Sequence, residues 1–382
     1  MEALPPTPED AFLRDLRAAS QDVAHGVVPS RAKEAVAHWN KWAAYCEELG
    51  VDPTLQSVED PIPFLQVFAW RFRTGKINTT RQRVRSRTVE GALRSVGQTL
   101  SGMGSPDPRY TAQGKLEFRL KRMLACYAKE DPPPDRVKPI PVPILRHIMA
   151  QANLAQNTVN QAVADMICLA FFFLLRPGEY TGTSSDTQPF HFKDVEFYLG
   201  GLRLDKNTCT ADQLLAATFV TLEFTTQKNS VRGEIIGLGR SGDPTFCPVS
   251  AAARRVLELR QAQAPDTQPL ASYVHPVTNR LRRITPKDIT DLLRLAVSLL
   301  GPQYGFLPKN ISARSLRASG AMALLCANVD TDRIRLIGRW RSDEMLRYLH
   351  VQAEPIMRHF SSRMLAGGNF TLLPNHEVPL IG

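Results

Sequence analysis

Apolar positions in the first third of the chain recur at helical spacing. From Ser30, a residue suited to cap a helix, Ala35, Trp39, Trp42 and Cys46 follow along one face until Gly50 ends the pattern. The same period predicts helices over Ile62–Phe72, Thr88–Leu100 and Gly114–Tyr127, the last with Leu116, Leu120 and Leu124 on a common face. Four such helices make a small bundle. Residues 1–29 read as a flexible tail. The pattern stops at Asp131–Pro143, where six of the twelve residues from Pro132 to Pro143 are proline. Proline lacks a backbone N–H and has a fixed φ, so this segment is an extended, semi-rigid linker and not a helix interior.

Beyond the linker the period changes more than once. Val142–Ala152 and Val159–Leu175 predict helices, and the unbroken apolar run Met166–Leu175 predicts a buried one. Phe190–Tyr198 and Gly201–Leu204 predict short strands. Thr218–Thr225 alternates, with Val220, Leu222 and Phe224 on one side, and Val231–Leu238 is placed to pair with it across a turn at Thr226–Ser230. Helices follow over Ala251–Arg260, Pro286–Leu300, Ser312–Ala327, Asp332–Ile337 and Asp343–His350. The expected fold class is therefore mainly α, with an N-terminal helical bundle and an α+β domain built on a small antiparallel sheet. The expected organisation is a tail at 1–29, a helical domain at 30–130, a linker at 131–143, an α+β domain at 144–363 and a second tail at 364–382. No internal repeat is visible.

Composition narrows the partner class. The 382 residues carry a formal charge of +10 and a sequence pI near 9.5, which directs association toward a polyanion, nucleic acid before an anionic membrane. The N-terminal residues MEALPPTPEDAFLRDL do not have the basic start and apolar core of a secretory signal. The ten-residue run Met166–Leu175 is too short to span a bilayer. Six single cysteines with no CxxC pair, and no histidine at ligand spacing from them, point to free thiols in a reducing compartment and to no structural zinc. The expected localisation is the nucleus in a eukaryote and the cytoplasm otherwise, with no secretion, no membrane partner, no metal and no cofactor.

Three places hold charged or polar groups that packing alone does not require. Arg176 ends the apolar run and precedes Pro177, Gly178 and Glu179. A guanidinium there needs an anion, either Glu179 or a ligand phosphate. In NISARSLRASGAMALL, residues 310–325, Arg314 and Arg317 lie three apart at a helix start, with Leu316, Ala321 and Leu324 on the apolar face. The pair is either a ready anion site or a solvated basic face. In IGRWRSDEMLRYLHV, residues 337–351, Gly338 suits a helix end and Ser342 the next helix start. Met345 and Leu349 then face the core, with Tyr348 near its edge.

The order Arg…Lys…Arg…Trp…Tyr resembles the catalytic domain of the tyrosine recombinases, or phage-integrase family. The matching stretches are LLRPGEY around Arg176, TTQKNS around Lys228, RSLRASGAMAL around Arg317, IGRW with Trp340, and MLRYLH around Tyr348. SLRASGAMALL followed by GRWRSDEMLRYLH is most similar to recombinases of eukaryotic mobile elements of the Crypton and DIRS types. The resemblance spans residues from about 30 to 363, since a helical DNA-clamping domain, a linker and an α+β catalytic domain is also the family's arrangement.

That resemblance implies a metal-independent strand transferase. Tyr348 would be the nucleophile that forms a 3′-phosphotyrosyl link, and Arg176 and Arg317 would grip the scissile phosphate in place of a metal. Lys228, on the hairpin turn, would protonate the leaving 5′ oxygen. A tyrosine with a pKa of about 10 needs the developing phosphoryl charge neutralised around it before it can attack. Two positions depart from the pattern. Arg314 stands where the family places histidine, and arginine binds phosphate but accepts no proton at neutral pH. Trp340 stands eight residues before Tyr348 where the family's His or Trp stands nine before, so either Trp340 packs on the phosphate or Arg339 takes that place; Trp340 is preferred.

From Arg71 to Arg94 eight basic residues (Arg71, Arg73, Lys76, Arg81, Arg83, Arg85, Arg87 and Arg94) meet one acid, Glu90. They are expected to hold the backbone of double-stranded DNA, with a solvated charge run or a nuclear-import signal as the other readings. The tail after Arg363, with Gly367–Gly368 before Phe370, Leu372 and Leu373, is either disordered or, by resemblance, docked on a neighbouring protomer. The resemblance implies a homo-oligomer, two protomers per site and four in synapsis. The leading function is site-specific DNA recombination or integration. The alternatives are a DNA-binding protein whose catalysis has eroded at Arg314, and a type IB topoisomerase-like enzyme.

Overall fold

The computed structural model describes residues 8–133, 137–155, 157–181, 188–225, 233–342, 345–346, 361 and 364–365. The chain forms two compact units, Met1–Asp135 and Arg136–Gly382, divided inside the proline-rich segment.

The first unit contains α1 (Pro8–His25), α2 (Pro29–Glu48), α3 (Ile62–Arg73), α4 (Ser86–Gly102) and α5 (Phe118–Glu130). On α4, Val89, Ala92, Leu93, Val96 and Leu100 make one buried stripe, which packs with Trp42, Tyr45, Phe68 and Phe72. Burying each of these large apolar side chains stabilises the unit by roughly 2 kcal/mol. The fully buried Trp42 meets the Phe68 ring edge-on at 5.2 Å and donates its indole N–H to Pro53 O at 2.9 Å, so its own polar group is satisfied in the core.

Three expectations change here. The segment read as a tail carries α1, because Pro8 opens it and no helix breaker intervenes before Gly26. Helix α2 begins at Pro29 with Val28, not Ser30, at the cap, and turns His38, Trp42, Tyr45 and Cys46 inward, leaving Trp39 half-buried. Helix α5 begins at Phe118 and not at Gly114, because Glu117 caps it by accepting from the backbone N–H groups of Arg119 and Leu120.

The second unit runs α6 (Val142–Ala155), α7 (Thr158–Phe172), α8 (Pro177–Tyr180), β1 (Val195–Leu199), β2 (Leu202–Leu204), α9 (Ala211–Ala216), β3 (Phe219–Phe224) and β4 (Glu234–Gly239). It continues through α10 (Pro248–Gln261), β5 (Ser272–Val274), β6 (Leu281–Arg283), α11 (Pro286–Leu300), α12 (Ser315–Cys326) and α13 (Thr331–Ile337). Four strands form an antiparallel sheet in the order β2-β1-β3-β4, with Phe197 opposite Val220 and Leu222 opposite Ile236. Val220, Leu222 and Phe224 point into the core, as their alternation predicts. The fold is mainly helical with a small antiparallel sheet, in agreement with the sequence pattern.

Strand β1 starts at Val195, since Phe192–Asp194 form a single 3-10 turn. Helix α9 and the β5–β6 hairpin are additions to the expected elements. Helix α7 ends at Phe172, three residues before the apolar run does. Most of the helix expected at Asp343–His350 lies outside the described residues, although Met345 is buried, as expected. No helix among the described residues is long and apolar enough to cross a membrane.

Candidate active site

The geometry begins with two helix ends. Helix α7 closes with Leu174 N donating to Phe171 O at 3.4 Å and Leu175 N to Ala170 O at 3.0 Å, with Leu174 at φ 50°. Helix α13 closes in the same way: Arg339 N donates to Leu336 O at 2.9 Å and Trp340 N to Arg335 O at 3.0 Å, with Arg339 at φ 57°. Both are Schellman closures, whose left-handed residue is ordinarily glycine. For an L-residue that conformation costs about 1–2 kcal/mol. The glycine that sequence reading placed at the helix end, Gly338, instead sits one residue earlier at φ −77°. It is needed for space, because an added Cβ would lie 1.7 Å from the Trp340 ring.

These closures bring Arg176 and Arg339 to Glu179 and set Trp340 against Arg317. Arg176 caps α8, and Glu179 reaches back to accept from the Arg176 backbone N–H at 2.7 Å and from its Nη1 at 2.7 Å. The oxygen that accepts from the Arg176 backbone N–H, Oε2, also accepts from Arg339 Nη2 at 3.1 Å. Arg339 also donates to the carbonyls of Phe173 (3.2 Å), Leu174 (3.3 Å) and Ile337 (2.9 Å), and its guanidinium lies 3.8 Å from the Phe224 ring centroid.

Arg317 enters from α12. Its side chain is buried, donates to Leu174 O and Gly338 O, and stacks at 4.1 Å on the Trp340 ring. Gly320, one turn later on α12, makes this approach possible, since an added Cβ would lie 2.2 Å from Phe171 O. Leu174, Ala321, Ile334, Trp340 and Met345 form the apolar floor.

Arg176 and Arg339 therefore bond one buried carboxylate whose charge also feels Arg317, with Glu234 on β4 a further acid whose field reaches Arg339. Burial alone would raise the Glu179 carboxyl, but Arg339, Arg176 and Arg317 overcome that and hold it below its ordinary value. Burial lowers Arg339, against the pull of Glu179. The cluster keeps a positive surplus in a weakly screened place, and Arg176, at 24% side-chain exposure, is its route to solvent. Chemically it can receive an anion and neutralise charge that builds up on it.

Among the residues expected at the site, Arg176, Arg317 and Trp340 come together. Arg314 does not join them: it is exposed at the α12 cap while Arg317 turns inward, so the two do not share one face at the helix start. Lys228 and Tyr348 lie outside the described residues; Phe224, four positions before Lys228, abuts the cluster through Arg339. The sequence reading named Glu179 and Arg339 as options. It missed the Leu174 and Gly338 carbonyls and the Phe224 ring, for which no local signal exists.

The basic stretch of the first unit divides. Arg73, expected to contact DNA, is instead buried: it pairs with Asp131, donates to Val84 O and to Tyr127 O at 3.2 Å, and is thereby a core residue. Arg71 pairs with Glu48 at 2.9 Å and Arg94 with Glu90 at 2.8 Å. Arg83 pairs with Glu130, and Lys76 lies 4.3 Å over the ring of Trp70, which is 46% exposed. Arg81, Arg85 and Arg87 are exposed and enter no salt bridge among the described residues. Residues 81–85 have no regular secondary structure, with Arg81 at φ 51° and Arg85 extended at the start of α4.

No protein-family model and no curated protein matches the chain. Solved structures do. An integrase of the Tn1549 transposon, solved with transposon right-end DNA, is 13% identical, with 92% of this chain and 98% of that one covered and a TM-score of 0.49. XerA recombinase is 11% identical over 90% and 95%, at a TM-score of 0.37. An integrase of mycobacterium phage Brujita is 18% identical over 90% of each chain, at a TM-score of 0.28.

Proposed function

We propose that the chain is a site-specific DNA recombinase or integrase that cuts and rejoins strands through Tyr348. The observation that carries this reading is the convergence of Arg176, Arg317 and Arg339 around Glu179, with Trp340 stacked on Arg317. The order in which Lys228 and Tyr348 accompany these residues along the chain supports it.

In this reaction the Tyr348 oxygen attacks phosphorus and its proton leaves to solvent. The bond from phosphorus to the 5′ oxygen breaks, and that oxygen takes the electron pair and a proton from Lys228. The positive cluster stabilises the charge gathering on the non-bridging oxygens. The 3′-phosphotyrosyl link conserves the bond, and a 5′ hydroxyl reverses the step on a new strand, so no nucleotide or metal enters. Arg81, Arg85 and Arg87 hold duplex backbone without reading sequence. The working assembly is two protomers per site and four in synapsis, in the nucleus if the host is a eukaryote and in the cytoplasm otherwise.

A second reading, a DNA-binding protein with catalysis lost, is favoured by one observation. Arg314 is exposed in place of a proton-accepting histidine. A nicked suicide duplex carrying the DNA that flanks the gene separates the two. Recombination requires a covalent adduct on denaturing gels that Tyr348→Phe abolishes. Binding without an adduct establishes the second reading.

A further inference from the structure

Arg339 touches more of the site's framework than any phosphate ligand needs to. Its guanidinium meets the end of α7 through two carbonyls, α8 through Glu179, the end of α13 through Ile337 O, and the last residue of β3 through the Phe224 ring. Its side chain is 2% exposed, and its backbone is held at φ 57°. Glycine would adopt that conformation without strain, so the side chain is what the strained position retains.

The contact with Phe224 is the informative one. Phe224 and Glu234 form the last pair of the β3–β4 ladder before the connecting segment, which contains Lys228. Phe224 lies against the face of the guanidinium, and the field of Glu234 acts on the same charge. The edge of the guanidinium is occupied by Glu179, whose other oxygen holds Arg176 at 2.7 Å. One planar group thus joins the hairpin that carries Lys228 to the carboxylate that orients Arg176.

We infer that Arg339 is a positioning residue which, without touching the phosphate, sets the Lys228 hairpin against the arginine cluster. The inference rests on the proposed reading of Lys228 as the general acid. Lysine in this place keeps a charge for Glu179 but has neither the planar face for Phe224 nor the fork for three carbonyls.

The test uses the full chain, in single turnover at saturating DNA, on two nicked duplexes. One has an ordinary scissile phosphate, and the other has sulfur in place of the leaving 5′ oxygen. A thiolate leaves without being protonated, so the sulfur substrate removes the need for a general acid. Losing the acid slows the ordinary substrate by about 10²–10⁴-fold. Arg339→Lys is expected to slow ordinary cleavage by at least about 10²-fold. On the sulfur substrate it should return to within about tenfold of wild type, as Lys228→Ala does, with DNA affinity unchanged. Arg176→Ala should stay slow on both. Phe224→Leu keeps the apolar volume and the Glu179 pair, and should show the same rescue in milder form.

If Arg339→Lys is equally slow on both substrates, or slow on neither, while Lys228→Ala is rescued, the inference is overturned and the recombinase reading stands. An unaffected Phe224→Leu likewise overturns the hairpin link. If Lys228→Ala is not rescued, or the wild type forms no adduct, the reading of the site fails first and the inference fails with it.

Discussion

Replacing Glu179 by glutamine removes the charge around which the cluster is built and leaves nearly the same shape. Neutralising one partner of a buried ion pair costs about 3–5 kcal/mol, because the other charge remains buried without compensation. Here the loss falls on two arginines unequally. Arg339, with its side chain 2% exposed, bears it almost in full, whereas solvent screens Arg176 at 24% exposure. The lower end of the range applies, about 3 kcal/mol, since glutamine retains one oxygen to accept from Arg176 while its amide N–H groups meet Arg339. For a unit of this size that is a fall in Tm of roughly 6–12 °C. Urea unfolding followed by circular dichroism reads it as a lower midpoint for the second unit at constant slope. Sulfate or pyrophosphate should then stabilise the variant more than the wild type, because the cluster's positive charge now acts on the incoming anion without an internal competitor. A loss below about 1 kcal/mol, or equal stabilisation of both proteins by the anion, refutes the argument that Glu179 is the internal counter-charge of an anion site.

Other outcomes follow from the same structure. Gly320→Ala places a methyl against Phe171 O and is expected to destabilise the second unit by about 1–3 kcal/mol, measured by urea unfolding. Arg81→Ala, Arg85→Ala and Arg87→Ala together should weaken duplex binding uniformly across sequences and reduce the slope of log K against log salt by about 2–3. Arg73→Ala should instead lower the stability of the first unit by about 3 kcal/mol, with little change in that slope. Asp131 is pushed down to about 2, against the burial that would raise it, by bonds from the Ser86 hydroxyl, from Arg73 and from the Ser86 N–H. Its stabilisation of the first unit is thus full above the ordinary carboxylate range and is lost as pH falls toward about 2. Acid titration of Asp131→Asn should show a lower starting stability and a flatter pH dependence.

Local pattern carried most of the fold, because apolar period is a property of neighbouring residues. Helix α4 follows its Val89–Leu100 stripe, and the β3–β4 pairing follows the alternation from Val220 to Phe224. What failed depends on distant partners or on short elements. The charge of Arg73 looks like that of Arg81 in sequence, and distant partners, Asp131 and Tyr127 O 58 and 54 residues away, make it a core residue. Three-residue strands such as β5 and β6 are too short to show a period. The α9 start is marked in the sequence by the Thr210–Gln213 capping box.

At the site, the sequence marked Arg176, Arg317 and Trp340 by their order. It misassigned the left-handed helix end to Gly338, because the expectation of glycine there is strong and Arg339 violates it. The role of Arg339 follows only from the packing of four separate segments, which no spacing encodes.

The central claim is that Tyr348 joins DNA covalently at the phosphate held by the arginine cluster. Trypsin cuts the adduct from a suicide duplex after Arg347 and Arg358, releasing the peptide that begins at Tyr348. Mass spectrometry of that peptide should show a 3′-phosphonucleotide on Tyr348 in the wild type and in no sample from Arg317→Ala. A nucleotide on any other residue, or an adduct undiminished by Arg317→Ala, contradicts the account.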